Sequence, residues 1–115
     1  MKHKKRGRKF GRERDQRRSL MRSMAINLIN KEKIKTTEAK AKELRPFIEK
    51  IITKARKNDL ASKRQVISGI GLEATKKVFE KISPKYKNRK GGYTRINKLP
   101  PREGDASKMA IIEFV

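Results

Sequence analysis

Residues 91–115 read GGYTRINKLPPREGDASKMAIIEFV, and their pattern decides the fold class. Tyr93 to Leu99 alternates as a strand does, with Tyr93 and Arg95 on one face and Thr94 and Ile96 on the other. PPREGDAS is a polar connection that closes at Lys108. Met109 to Val115 is a near-continuous apolar run, suited to a buried or nearly buried strand. Glu113 is its one charged residue and is expected to point outward or to pair with a base. Two such runs joined by a short polar connection predict a hairpin.

Working upstream, SPKYKNRKGG at 83–92 reads as a basic loop. Gly91-Gly92 has two readings: a turn that needs positive φ, or a backbone that lets phosphate approach closely, with Arg89, Lys90 and Arg95 around it. Tyr93 either stacks on a base or fills the core. Ala74, Val78 and Ile82 line one side of a short helix from about Glu73 to Ile82, which Ser83-Pro84 ends. Asp59 caps a helix through Leu60, Val66, Ile67 and Ile70, closed by Gly69 or Gly71. Ala41, Leu44, Ile48, Ile51, Ile52 and Ala55 form a longer helical stripe that starts at Thr37-Glu38. Pro46 lies inside that stripe and predicts a kink or a break, and the stripe keeps its phase through Pro46, which favours a kink. Glu38–Lys42, and Glu49 with a basic neighbour, read as surface ion pairs. KIKTT at 33–37 is a short candidate strand. Leu20, Met21, Met24, Ala25, Leu28 and Ile29 form the stripe of a first helix, with Asp15 as its N-cap. Arg17, Arg18 and Arg22 fall largely outside that stripe and face an anion. The sum is an α+β fold of two or three layers, ordered α-β-α-α-α-β-β, with helices on a small three-stranded mixed sheet.

Composition narrows the function. The 115 residues hold 34 Lys/Arg and 12 Asp/Glu, a net charge of +22. Residues 1–22 contain eleven of those cations against Glu13 and Asp15, but the excess continues along the whole chain. A solvated tail does not explain a basic body, whereas a polyanion partner does. Residues 1–14, MKHKKRGRKFGRER, are expected to be an extended arm that orders on that partner, leaving residues 15–115 as one globular domain. There is no cysteine and a single histidine, His3, which excludes thiolate zinc sites and imidazole triads. No apolar run approaches the ~18 residues of a spanning helix, and no secretory signal follows the basic start. Glu103 and Asp105 are the nearest approach to a metal-binding carboxylate pair, and a solvated turn is the simpler reading. No catalytic residue, metal or cofactor is expected. Phosphate-led binding fits better than base readout in a major groove, because Ser62–Gly71 offers few residues suited to base edges. A non-specific DNA-binding nucleoid protein is the alternative that shares the charge argument.

Five segments together resemble the bacterial large-subunit ribosomal protein L-seventeen family. They are MKHKKRGRKFGR at 1–12, RRSLMRSMAINLI at 17–29, IKTTEAKAKELRPFIEKIITKA at 34–55, GGYTRI at 91–96 and MAIIEFV at 109–115. The resemblance implies a compact domain with a basic extension that binds large-subunit ribosomal RNA in the cytoplasmic ribosome and performs no catalysis. It also implies neighbouring ribosomal proteins, L-thirty-two among them. RNA contacts are then expected at Lys2, His3, Lys4, Lys5, Arg6, Arg8, Lys9, Arg12, Arg14, Arg17, Arg18 and Arg22. Further contacts are expected at Lys35, Lys85, Lys87, Arg89, Lys90, Gly91, Gly92, Tyr93 and Arg95.

Overall fold

The computed structural model describes the backbone from residue 2 and the side chains from residue 13 to residue 115. The expected hairpin forms: β2 (Thr94–Leu99) runs antiparallel to β3 (Met109–Phe114), with Ile96 opposite Ile112. The KIKTT segment is strand β1 (Lys33–Thr37) and pairs with the other edge of β3, Ile34 opposite Ile112. The order β1-β3-β2 puts the most apolar strand in the centre. Both pairings are antiparallel, so the sheet is not the mixed one expected. The chain enters β3 from the β2 hairpin and leaves its other edge to β1, and no parallel crossover is needed.

One face of this sheet carries Ile34, Ala110, Ile112 and the half-buried Ile96, and helix α2 (Glu38–Lys57) packs on it. The stripe predicted for α2 is buried at all six positions. Thr37 caps the helix by accepting from the Lys40 N–H, and Asn58 ends it in the left-handed region at φ 52°. The helix continues through Pro46 without a break. Asp59 accepts from the Ser62 N–H at 2.7 Å and caps α3 (Leu60–Ile70), which Gly71 ends at φ 84°. The next helix is α-helical only over α4 (Leu72–Lys77), then widens into a π turn (Val78–Ile82) and tightens into a 3-10 turn (Ser83–Tyr86). The expected loop therefore begins as a helical turn, which Pro84 tolerates because it sits in the first turn, where no N–H is required.

Helix α1 spans Lys2–Lys31, so Glu13 and Arg14 are helical and Asp15 is an interior residue, not a cap. The expected boundary at residue 15 thus falls inside one helix. Arg, Glu and Gln are good helix formers, and the run before Ser19 contains no breaker after Gly11. Burial begins late: Met24, Ala25, Leu28 and Ile29 are in the core, Met21 is half-buried, and Leu20 is 40% exposed, against its place in the predicted stripe. Each fully buried Leu or Ile side chain contributes about 1.5–3 kcal/mol, so this last stretch of α1 anchors the helix.

Candidate nucleic-acid interface

The second face of the sheet is basic. Register places Lys33, Lys35, Ile111, Glu113, Arg95 and Asn97 on it, opposite the core face. Lys33 and Lys35 are exposed and form no ion pair among the described residues. Lys33 was missed in the sequence, although the alternation of Lys-Ile-Lys about buried Ile34 carries the signal. Arg95 is already engaged: its Nε donates to Glu113 Oε1 at 2.9 Å, and Asn97 Nδ2 donates to the same oxygen at 3.0 Å. Glu113 thus points outward and pairs with a base, as its position required.

At one end of the sheet, Lys31, Lys33 and Lys85 line a shallow groove of about 320 Å³ with Glu32 and Glu113. This joins two segments far apart in sequence. Lys85 lies 3.6 Å from Glu32 across an exposed pair, which contributes little. Lys87 and Lys90 are exposed, and their side chains make no hydrogen bond or ion pair among the described residues. Arg89 is partly held, donating from Nη1 to the Gly92 carbonyl at 3.2 Å.

Arg14, Arg17, Arg18 and Arg22 are exposed along α1 and form no ion pair among the described residues. The spacing of Arg14, Arg18 and Arg22 puts them on one line of the helix surface. The side chains of Lys2, His3, Lys4, Lys5, Arg6, Arg8, Lys9 and Arg12 lie outside the described residues.

Two expected contacts need correction. The Gly91-Gly92 turn does present backbone N–H groups, and Gly92 has φ 64°. The partner of the Gly92 and Tyr93 N–H groups, however, is Glu49 of the same chain, not a phosphate. Glu49 Oε1 accepts from the Gly92 N–H at 2.9 Å, and its Oε2 accepts from the Tyr93 N–H at 3.0 Å and the Thr94 hydroxyl at 3.0 Å. A carboxylate held by three donors already fills the anion position. Glu49 is therefore not the surface ion-pair partner it resembled in the sequence. Glu38–Lys42 is such a pair, at 3.1 Å. Tyr93 is fully buried and offers no face for stacking on a base. Its ring lies 5.2 Å from that of Tyr86, and its hydroxyl accepts from Arg56 Nη1 at 3.0 Å and donates to the Arg89 carbonyl at 3.2 Å.

Several of the acids are turned to internal work. The Lys42 hydrogen bond holds the Glu38 carboxyl below its usual range, and the Ser62 N–H does so for Asp59. Asp105 is lowered strongly by Arg102, which donates to both carboxylate oxygens at 3.2 and 2.7 Å, and by the Ser107 N–H. That pairing closes the 100–108 turn and makes Asp105 a structural residue. Among the described residues no three or more His, Cys, Asp or Glu cluster as a metal site would need.

Comparison with known proteins covers the whole chain. The family model described as Ribosomal protein L17 matches residues 20–115. A protein of Nautilia profundicola named large ribosomal subunit protein bL17 is 51% identical over 120 residues, covering 100% of this chain and 98% of its own. Its namesake in Hydrogenobaculum is 50% identical over 117 residues, covering 100% and 99%. The one in Fusobacterium nucleatum is 48% identical over 116 residues, covering both chains completely.

Proposed function

The chain belongs to the ribosomal protein L17 family, and from that premise we propose that it is a structural constituent of the large ribosomal subunit, held to large-subunit ribosomal RNA by phosphate-directed Lys and Arg contacts. The family is structural and not enzymatic. One observation carries the RNA reading. Glu38, Glu49, Asp59, Asp105 and Glu113 each accept a hydrogen bond within the chain. Arg14, Arg17, Arg18, Arg22, Lys33, Lys35, Lys87 and Lys90 stand exposed without a carboxylate partner among the described residues. Folding thus engages five of the twelve acids internally and leaves these eight cations outward.

Binding is then driven by counterion release: each phosphate neutralised frees condensed cations. Arg binds phosphate through two N–H groups at once, which adds geometry to charge. We assign residues 1–14 as a basic RNA-binding segment and residues 15–115 as the domain that carries it. The protein works in the cytoplasmic ribosome as mortar between RNA segments, beside other ribosomal proteins, L-thirty-two among them.

The test is the salt dependence of binding to large-subunit ribosomal RNA. Affinity should fall about a thousandfold or more between 50 and 200 mM salt for six or more phosphate contacts. Changing Arg14, Arg17, Arg18 and Arg22 together to Gln should lower the slope by about three to four units. An unchanged slope, or displacement by duplex DNA at equal nucleotide concentration, overturns the reading.

A further inference from the structure

Helix α1 parts from the body at Met21. Every residue from Glu13 to Leu20 is exposed, whereas Met24, Ala25, Leu28 and Ile29 are packed in the core. Where α1 separates from α2, a groove of about 360 Å³ opens. Half-buried Met21 and Phe47 line it, with Arg14, Arg17 and Arg18 on the α1 side and Glu13 and Glu43 completing the lining. The three guanidiniums make no ion pair among the described residues, even with those two carboxylates at the groove. Phe47 also lines a second groove beyond it, between α2 and α3, where Lys50 and Lys54 add two more cations.

We propose that this groove takes one unstacked base of a single-stranded RNA segment, with the base against Phe47 and Met21 and the flanking phosphates on Arg14, Arg17 and Arg18. The inference rests on the RNA-binding reading above and gives it a specific site. An aromatic ring on an apolar floor supplies the flat surface on which a base stacks, and it tolerates any base because each has a π face. Guanidiniums set along one rim match successive phosphates, each able to accept two N–H bonds. A base in an intact A-form duplex cannot enter, so the site selects loops, bulges and strand ends. The volume is in the range of small-ligand pockets. Of the six aromatic residues, Phe10 lies outside the described side chains, Tyr86 and Tyr93 are buried, Phe79 and Phe114 are half-buried at other grooves, and Phe47 is the one that lines the arginine groove.

The experiment uses the full chain and three probes of matched charge: a short single-stranded oligoadenylate, its abasic counterpart, and a duplex RNA. Wild type should bind the oligoadenylate at least about fivefold more tightly than the abasic strand, the low end of what one stacked base contributes. Phe47→Leu keeps an apolar side chain against the core and should erase that difference while duplex binding is unchanged. Phe47→Tyr, which keeps the ring, should retain it. Equal binding of oligoadenylate and abasic strand by wild type overturns the proposal and leaves the RNA reading intact. Full oligoadenylate preference in Phe47→Leu also overturns it. Failure of all three probes to bind overturns the RNA reading and this inference together.

Discussion

Glu49 is the residue whose removal tests the fold most sharply. Its carboxylate accepts from the N–H groups of Gly92 and Tyr93 and from the Thr94 hydroxyl, tying α2 to the start of β2 across more than forty residues of sequence. The Gly92 N–H is exposed and regains water when Glu49 is lost. The donors of Tyr93 and Thr94 belong to buried residues and do not. Two partly buried donors losing a charged acceptor cost about 1.5 kcal/mol each, or about 3 kcal/mol for Glu49→Ala. Near 115 residues that corresponds to a Tm lowered by about 12 °C. Glu49→Gln keeps one acceptor oxygen and should cost about half as much. Removing any acid from a chain of net charge +22 also raises self-repulsion, so Glu103→Ala serves as the control. Glu103 is exposed and makes no hydrogen bond among the described residues, and its loss should barely move Tm. Thermal unfolding followed by circular dichroism reads all three. A Glu49→Ala shift no larger than that of Glu103→Ala would refute the reasoning and reopen the Gly91-Gly92 turn as a phosphate site.

Other outcomes follow from the same contacts. Tyr93→Phe removes one accepted and one donated hydrogen bond and should cost about 1 kcal/mol by chemical denaturation, while RNA affinity is unchanged because the ring is buried. A drop in RNA affinity beyond that of a conservative core variant would return Tyr93 to the interface. Glu38, Asp59 and Asp105 are all held below their ordinary pKa by partners in the fold. Their contribution is present above the unfolded carboxylate range and is lost as pH falls from about 5 through their lowered folded values. Denaturation midpoints should therefore decline on acidification, and Asp105→Asn should flatten that decline. A midpoint that rises between pH 5 and pH 3 contradicts the assignment.

Much of the architecture was legible because its signals are local. The α2 stripe from Ala41 to Ala55, the Asp59 cap and the apolar run from Met109 follow from periodicity and side-chain capping alone. Strand direction was not, since nothing within KIKTT states which way it meets β3. The N-terminal start of α1 was misjudged because Gly7 and Gly11 argue against a helix on local grounds. The site was legible only in part. Exposed cations on α1 and β1 can be read from their phase relative to the apolar stripe. The partner of Gly92 cannot, because Glu49 comes from another element and looks, within its own helix, like any surface acid. Phe47 is not legible for the same reason: its place at a groove depends on where α1 leaves α2.

Membership of the large subunit is read by sedimenting a cell lysate through a sucrose gradient in high salt and detecting this protein across the fractions. The protein should travel with the large ribosomal subunit and resist the salt wash, because many phosphate contacts must be lost together. Recovery at the top of the gradient, or co-migration with DNA that ends on nuclease treatment, would contradict it.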